Sequence, residues 1–187
     1  VVNVTWNVTY WASFTETTNK YAVTFVDEDE TVLKAATQYD YNTPAALIEQ
    51  PATPTKAETA SHTYTFNGWD PALANVTADA TYRATYHSTV NQYTITFYDE
   101  DGETVLDTQT VDYGEAATYG GEAPSKEATA QYTYAFTDWY TAKEWGTVDN
   151  LSNVTANRSV YARYSATVNQ YNVTFVDEDG TTVLKAA

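Results

Sequence analysis

Three acidic runs hold the densest clusters of potential ligand oxygens in this 187-residue sequence: Asp27-Glu28-Asp29, Asp99-Glu100-Asp101 and Asp177-Glu178-Asp179. Carboxylates are hard donors suited to Ca²⁺, but an EF-hand spreads its ligands over about 12 residues and closes on a glutamate. These runs lack that spacing and read as solvated hairpin turns that also blunt aggregation. Only two histidines exist, His62 and His87. A serine nucleophile needs a base and an orienting acid. The seven serines are scattered, and no Gly-x-Ser-x-Gly elbow or phosphate-cradling glycine loop occurs. Cysteine is absent, which removes disulfides, thiolate nucleophiles and cysteine-based metal sites. The expectation is a non-enzymatic chain with no cofactor, no catalytic residues and no metal site.

Other residues offer milder chemistry. Asn-x-Ser/Thr sequons occur at Asn3, Asn7, Asn75, Asn150, Asn153, Asn157 and Asn172. In a eukaryotic secreted protein they would accept glycans. Asn3, Asn75 and Asn153 are one repeated position, so a turn leading into a Thr-rich strand explains them better. Lysine could form an isopeptide bond with Asn or Asp, but the equivalent positions Lys34, Asp107 and Lys185 are not uniform. Trp6, Trp11, Tyr140 and Trp145 are aromatics able to stack on a sugar. Trp145 and Tyr140 are the weak ligand-binding candidates, because they lie in a long insertion and variable loops often carry function.

Twenty-five acidic and nine basic residues give a net charge of −16. That charge argues against nucleic acid and anionic membrane surfaces, which need a basic face. No apolar run approaches the ~18 residues of a membrane span, so no membrane insertion is expected. Hydrophobic residues make up 43% of the chain, including 17 tyrosines, which is incompatible with a disordered acidic tail. The first residue is Val1, with no charged-then-apolar leader after it, so the sequence reads as an internal slice of a longer protein.

Whatever positions these groups is repeated. Tyr21-Ala-Val-Thr-Phe-Val-Asp-Glu-Asp29 recurs from Tyr93 to Asp101 and from Tyr171 to Asp179. A second block begins Asn3-Val4-Thr5, Asn75-Val76-Thr77 and Asn153-Val154-Thr155. The implied units are 21–92 and 93–170, flanked by the tail strand of an upstream repeat (1–20) and the first hairpin of a downstream one (171–187). Between Trp139 and Asn153 the second unit carries an insertion, where Tyr140–Ser152 replaces the short Asp70–Ala74.

Each unit opens with period-two alternation. Tyr93, Ile95 and Phe97 share one face and Thr94, Thr96 and Tyr98 the other, which is a strand. The acidic run then supplies a turn. Gly102 tolerates positive φ there, whereas the first unit lacks the glycine and is one residue shorter, which predicts a different turn type. A returning strand comes next. Thr43 as N-cap and Pro44 as first helical residue predict one or two helical turns after it. Gly120-Gly121 leave little room for a helix in the second unit. Strands at 62–66 and 132–136 run on to Trp69 and Trp139, and fourth strands are expected at 81–89 and 159–167. The order per unit is β-β-(short α)-β-β. The expected core is Tyr64/Tyr134, Phe66/Phe136, Trp69/Trp139, Val23/Ile95 and Phe25/Phe97.

These motifs resemble the Listeria–Bacteroides repeat, the internalin B-type B-repeat of bacterial cell-surface proteins. The resemblance rests on Tyr-x-Val/Ile-Thr-Phe-x-Asp-Glu-Asp-Gly, Thr-Val-Leu and Asp-Tyr-Gly, then Tyr-Thr-Phe-x-Gly-Trp, Asn-Val-Thr and Thr-Tyr-x-Ala-Thr-Tyr. It covers essentially the whole chain. Departures are Asn42 where Gly114 stands in the second unit, and Thr137-Asp138-Trp139 where the first has Asn67-Gly68-Trp69. The resemblance implies an α+β, strongly β-rich fold of tandem β-grasp-like units, similar to ubiquitin-like and mucin-binding modules, in an elongated string. It also implies an extracellular, cell-surface location and supplies no catalytic residues.

Two functions are expected of such a chain. One is a stalk: Val90-Asn91-Gln92 joins the units without a Gly/Ser linker, giving a stiff spacer that presents a distal adhesive domain and whose partners are its neighbouring repeats. The alternative is an adhesion module that binds mucin, a host glycoprotein or a receptor directly. In addition, segments 1–20 and 171–187 carry neighbouring strands of one unit. They could associate head to tail between molecules, or dock on the units beside them.

Overall fold

The computed structural model describes residues 3 and 5–185; Val4 of the first Asn-Val-Thr block lies outside them. Two compact units divide the chain, one formed by 1–57 with 64–89 and the other by 58–63 with 90–187. Each is built on a four-stranded sheet.

In the first unit, β1 (Lys20–Val26) and β2 (Val32–Asp40) form a hairpin, and β3 (His62–Asp70) precedes β4 (Ala80–Val90). The strand order is β2-β1-β4-β3, and β1 runs parallel to β4 at the centre with Phe25 opposite Tyr82. The second unit repeats this with β5 (Gln92–Tyr98), β6 (Val105–Asp112), β7 (Tyr132–Tyr140) and β8 (Arg158–Val168), in the order β6-β5-β8-β7. Its central parallel pair sets Phe97 opposite Val160. A short hairpin comes last, β9 (Phe175–Val176) with β10 (Val183–Lys185). The architecture is thus β-rich. The expected strand tail at 5–19 forms no strand before β1 begins at Lys20.

The short α-helix is corrected: the described residues contain no α-helix. Pro44 is the N-cap of a single 3₁₀ turn, Ala45–Leu47, in extended conformation and with no side-chain cap bond. The Thr43 hydroxyl instead turns back to the Asp40 carbonyl at 2.7 Å. A helical nucleus fixes several residues for one hydrogen bond, and Pro51 and Pro54 close the run before it can propagate. The chain from Tyr41 to Ser61 lies instead as an irregular strap that buries Ile48 and Pro54. The corresponding strap of the second unit buries Ala117 and packs Tyr119 on the core.

Val23, Phe25, Ile95, Phe97 and Trp139 are buried as expected. Phe66 and Phe136 are half-buried and reach Trp69 and Trp139, with ring centroids 5.1 and 5.3 Å apart. A spacing of three would put these pairs on opposite faces of a regular strand. A register shift between Phe136 and Asp138 restores them to one face, and the first unit has Gly68 at φ +99° at this point. Tyr64 and Tyr134 are not core residues. They lie half-exposed at the periphery beneath Lys56 and Lys126, whose ammonium groups sit 4.3 and 4.4 Å from the ring centroids. Val76 and Val154, the middle residues of the Asn-Val-Thr blocks, are core residues that strand periodicity did not flag.

Candidate functional site

The acidic runs cap the hairpins at their own turns. In the second unit Asp101 Oδ1 accepts the amides of Glu103 and Thr104 at 2.8 and 2.9 Å, and its Oδ2 accepts the Thr104 hydroxyl at 2.6 Å. Asp179 holds Thr181 and Thr182 in the same way. The threonine hydroxyl, followed by the turn amides, pulls the carboxyls of Asp101 and Asp179 down to about 2. Asp29 is lowered too, by Thr31. Asp99 and Asp27 each accept the amide of the next residue, and each also receives a tyrosine hydroxyl, from Tyr164 at 2.8 Å and Tyr86 at 2.7 Å. Asp101 and Asp179 thus use both carboxylate oxygens on their own turns, and no three-ligand His/Cys/Asp/Glu cluster occurs among the described residues.

The expected difference between the turns falls elsewhere than predicted. Glu30 donates its amide to the Asp27 carbonyl at 3.1 Å, as Gly102 does to Asp99 at 3.0 Å, and Glu30 adopts φ +70° where Gly102 has +70°. The two units share this part of the turn, and the first closes one residue sooner, onto Thr31 rather than Thr104.

The position occupied by Lys34 and Asp107 fastens the strap in both units. Lys34 donates to the Glu49 carbonyl at 2.7 Å, whereas Asp107 accepts the Gly120 amide at 2.8 Å. The side chain changes sign because the strap offers a carbonyl in one unit and an amide in the other. This accounts for the irregular column without a covalent crosslink. Of the sequons, Asn157 is engaged through Oδ1 by the Thr94 amide at 2.8 Å, and Asn150 by Ser152. His62 meets Ser61 Oγ through Nδ1 at 2.9 Å, and His87 lies exposed on β4.

The insertion is a small hairpin. Tyr140 bridges to Val148, and Thr141 donates its amide to the Thr147 carbonyl at 2.9 Å. At its base the buried Asp149 meets Arg158 at 3.1 Å. Tyr140 is half-buried, with the Arg163 guanidinium 5.4 Å from its ring centroid. Trp145 stands near the tip, 98% exposed and at φ +57°. A bulky residue in the left-handed region is strained. The two candidates therefore differ: Tyr140 anchors the base of the hairpin, while Trp145 is presented to solvent.

Sequence reasoning missed the polar clasp at Asn91. Its Nδ2 donates to the carbonyls of Thr59 and Ala60 at 2.8 and 3.1 Å, and its amide to Ser61 at 2.9 Å. Its carbonyl accepts the Tyr113 amide at 2.8 Å, and the Tyr93 hydroxyl donates to Ala60 at 2.6 Å. Asn169 repeats the side-chain bonds onto Thr129 and Ala130, at 2.9 and 3.2 Å, and Tyr171 donates to Ala130. The Asn-Gln-Tyr at 91–93 that recurs at 169–171 was the available signal.

Among the described residues, no helix is long and apolar enough to cross a membrane. No curated protein matches the chain. A solved structure, streptococcal high identity repeats in tandem (SHIRT) domains 3-4 from a cell surface protein, aligns with 19% identity and a TM-score of 0.39. The alignment covers 80% of this chain and 99% of that one. The family model for the Listeria-Bacteroides repeat domain matches residues 21–88 and again 93–163. Each span holds one acidic turn and one Asn-Val-Thr block with its buried valine, and the chain belongs to the Listeria-Bacteroides repeat family and carries two of its repeats in tandem.

Proposed function

We propose that this chain is an extracellular, non-enzymatic spacer in a bacterial surface protein, a stalk segment whose partners are its neighbouring repeats and which presents a distal adhesive domain. The observation that carries the reading is the joint: β4 ends at Val90 and β5 begins at Gln92, so one residue connects two strands. That residue, Asn91, has its amide, carbonyl and side-chain nitrogen all hydrogen-bonded. The connection contains no Gly/Ser stretch of the kind that makes a flexible linker. The strand order with a central parallel pair fits a β-grasp-like sheet in which the irregular strap takes the place of the helix. Each unit spans about 70 residues and is sealed by a small aromatic core. A net charge of −16 suits units that must stay apart in a crowded surface layer.

Trp145 favours a second reading, direct adhesion to mucin or a host glycoprotein. An exposed indole held at positive φ is a strained arrangement of the kind found at binding loops. Binding of the 187-residue chain to immobilised mucins, matrix proteins and host-cell surfaces separates the two. A spacer gives no saturable binding. Saturable binding that survives ~0.3 M salt, where exposed charges are screened, and is lost in Trp145→Ala replaces the stalk with an adhesin.

A further inference from the structure

The two repeats treat one corner of the fold differently. In the first unit residues 74–80 lead into β4, and with Val23 and Tyr82 they line a cavity of about 200 Å³. Val23, Val76 and Ala80 give it apolar walls, and Asp79 lines it too. In the second unit the equivalent loop is 152–158. Arg158 stands there where Ala80 stands in the first, since Val23 faces Ala80 and Ile95 faces Arg158. Its side chain crosses the loop: Nη2 donates to the Ser152 carbonyl at 3.3 Å and meets Asp149 Oδ1 at 3.1 Å. Its Nε is buried and has no hydrogen-bond partner among the described residues. The second repeat thus fills with its own arginine a corner that the first leaves open. Tyr82, where the second unit has Val160, takes up part of the room, and its hydroxyl accepts the Ala74 amide at 3.4 Å. The cavity is what remains. A void of ~150 Å³ holds a benzene-sized group, so a guanidinium and part of its stem fit.

Charge changes along with shape. Asp79 stands where the second unit has Asn157. Each accepts an amide of the first strand through Oδ1, from Ala22 and Thr94, both at 2.8 Å. Asp79 therefore keeps the fold's bond and adds a negative charge at the cavity. Its second oxygen has no hydrogen-bond partner among the described residues. The four lysines and arginines of the first unit are engaged elsewhere: Lys20 with Asp40, Lys34 with Glu49, Lys56 with Glu28 and Arg83 with Glu30.

We infer that the cavity of the first repeat is a binding site for an arginine side chain of a basic polypeptide partner, seated where the second repeat seats Arg158. The second repeat shows which chemistry suits the corner: an aliphatic stem across the loop, and a guanidinium on one carbonyl and one carboxylate. In the first repeat the Ala74 carbonyl corresponds to that of Ser152, each residue preceding its Asn-Val-Thr block. Asp149 lies in the insertion that the first unit lacks, and Asp79 supplies the carboxylate instead. The Tyr82 ring adds an aromatic wall, which a guanidinium favours. Arginine suits the site better than lysine, because its planar fork bonds a carbonyl and a carboxylate at once. A net charge of −16 steers a basic partner toward the chain. This inference is independent of the spacer reading, since the cavity lies within the first unit and a stalk repeat can carry it.

The probe is arginine blocked at both ends, N-acetylarginine amide, titrated into the 187-residue chain and followed by amide NMR. Saturable shifts are expected at 74–80, Val23 and Tyr82, with a Kd of about 1–10 mM. Loop 152–158 should not move, because Arg158 already occupies it. Blocked citrulline, which keeps the shape and loses the charge, should bind several-fold more weakly, and so should blocked lysine. Ala80→Arg installs the second repeat's own residue and should abolish the shifts. Asp79→Asn installs the other one, keeps the acceptor for the Ala22 amide, and should weaken binding several-fold; it stands as the test if Ala80→Arg does not fold. Shifts that do not saturate, or that saturate equally in Asp79→Asn, overturn the site. Equal binding of blocked lysine or citrulline overturns arginine as the occupant.

Discussion

The Tyr164 hydroxyl donates to Asp99 Oδ1 at 2.8 Å, so the central strand β8 is tied by its side chain to the acidic turn that follows β5. Tyr86 and Asp27 repeat the bond at 2.7 Å in the first unit. In both units the first acidic residue of the turn is thus bonded to the central strand that pairs with the one before the turn.

This bond sets the alkaline limit of stability. Burial, then the hydrogen bond to the neighbouring aspartate, pushes Tyr164 and Tyr86 well above the ordinary value of 10. A phenol whose folded-state pKa is raised contributes stability that is complete below the unfolded value and is lost as pH rises through the folded one. The thermal transition is therefore expected to fall as pH climbs above 10. The double variant Tyr86→Phe/Tyr164→Phe should be less stable at neutral pH by about 1–2 kcal/mol per site and should lose less on going alkaline. Scanning calorimetry from pH 7 to 11 checks this, and parallel curves for the two proteins would refute it.

Glu30 offers a stability gain. It holds φ +70°, a conformation that costs a non-glycine residue about 1–2 kcal/mol. Its carboxylate pairs with Arg83, both side chains being largely exposed, and such a pair returns at most about 1 kcal/mol. Glu30→Gly is therefore expected to raise the stability of the first unit by up to about 1 kcal/mol, seen as a later urea midpoint. Asn42→Gly, at φ +67°, should gain less, because asparagine tolerates this region.

Much of this fold was legible in the residues themselves. Alternation around Phe25 and Phe97, the acidic turns and the recurring blocks marked the strands and their repetition, because period two and turn chemistry are local signals. The helix was misread because Thr43-Pro44 is the same start signal for a full helix and for one 3₁₀ turn; the downstream prolines Pro51 and Pro54 decide between them. Val76 and Val154 were hidden inside a sequon pattern, and their burial depends on the strap lying across the sheet. The clasp at Asn91 was invisible for a similar reason. Its partners, Thr59 and Ala60, lie 32 and 31 residues upstream and meet it only once β3 and β4 have paired.

Calcium is expected to leave the acidic turns untouched. Asp101 spends both oxygens on Glu103 and Thr104. Its lowered carboxyl means that the turn's contribution is present above the ordinary carboxylate value of 3.8 and is lost as pH falls through about 2. Thr104→Val removes the hydroxyl bond, the largest cause of that lowering, and should return the Asp101 titration toward 3.8 in a carboxyl NMR experiment. Calcium at ~1 mM, the weak end of extracellular sites, should shift neither that titration nor the turn amides. A calcium-dependent shift confined to Asp99 and Asp101 would reassign the turn as a cation site.

The joint gives the test on which the spacer depends. Asn91→Ala removes the two side-chain bonds to Thr59 and Ala60 while the backbone amide and carbonyl of residue 91 keep their partners Ser61 and Tyr113. The loss should cost about 1–2 kcal/mol, because two carbonyls lose a donor at a point the solvent can reach. The spacer reading requires that spin labels on cysteines placed at the exposed positions Ala36 and Thr108 give a narrow distance distribution by electron–electron double resonance for the unmodified chain and a broader one for Asn91→Ala. Asn91→Gly should broaden it further, since glycine adds backbone freedom to the lost side chain. A distribution already broad in the unmodified chain means that the one-residue connection and its clasp do not hold the repeats in register, and a stalk built from them would fold back on itself under thermal motion instead of holding anything at a distance.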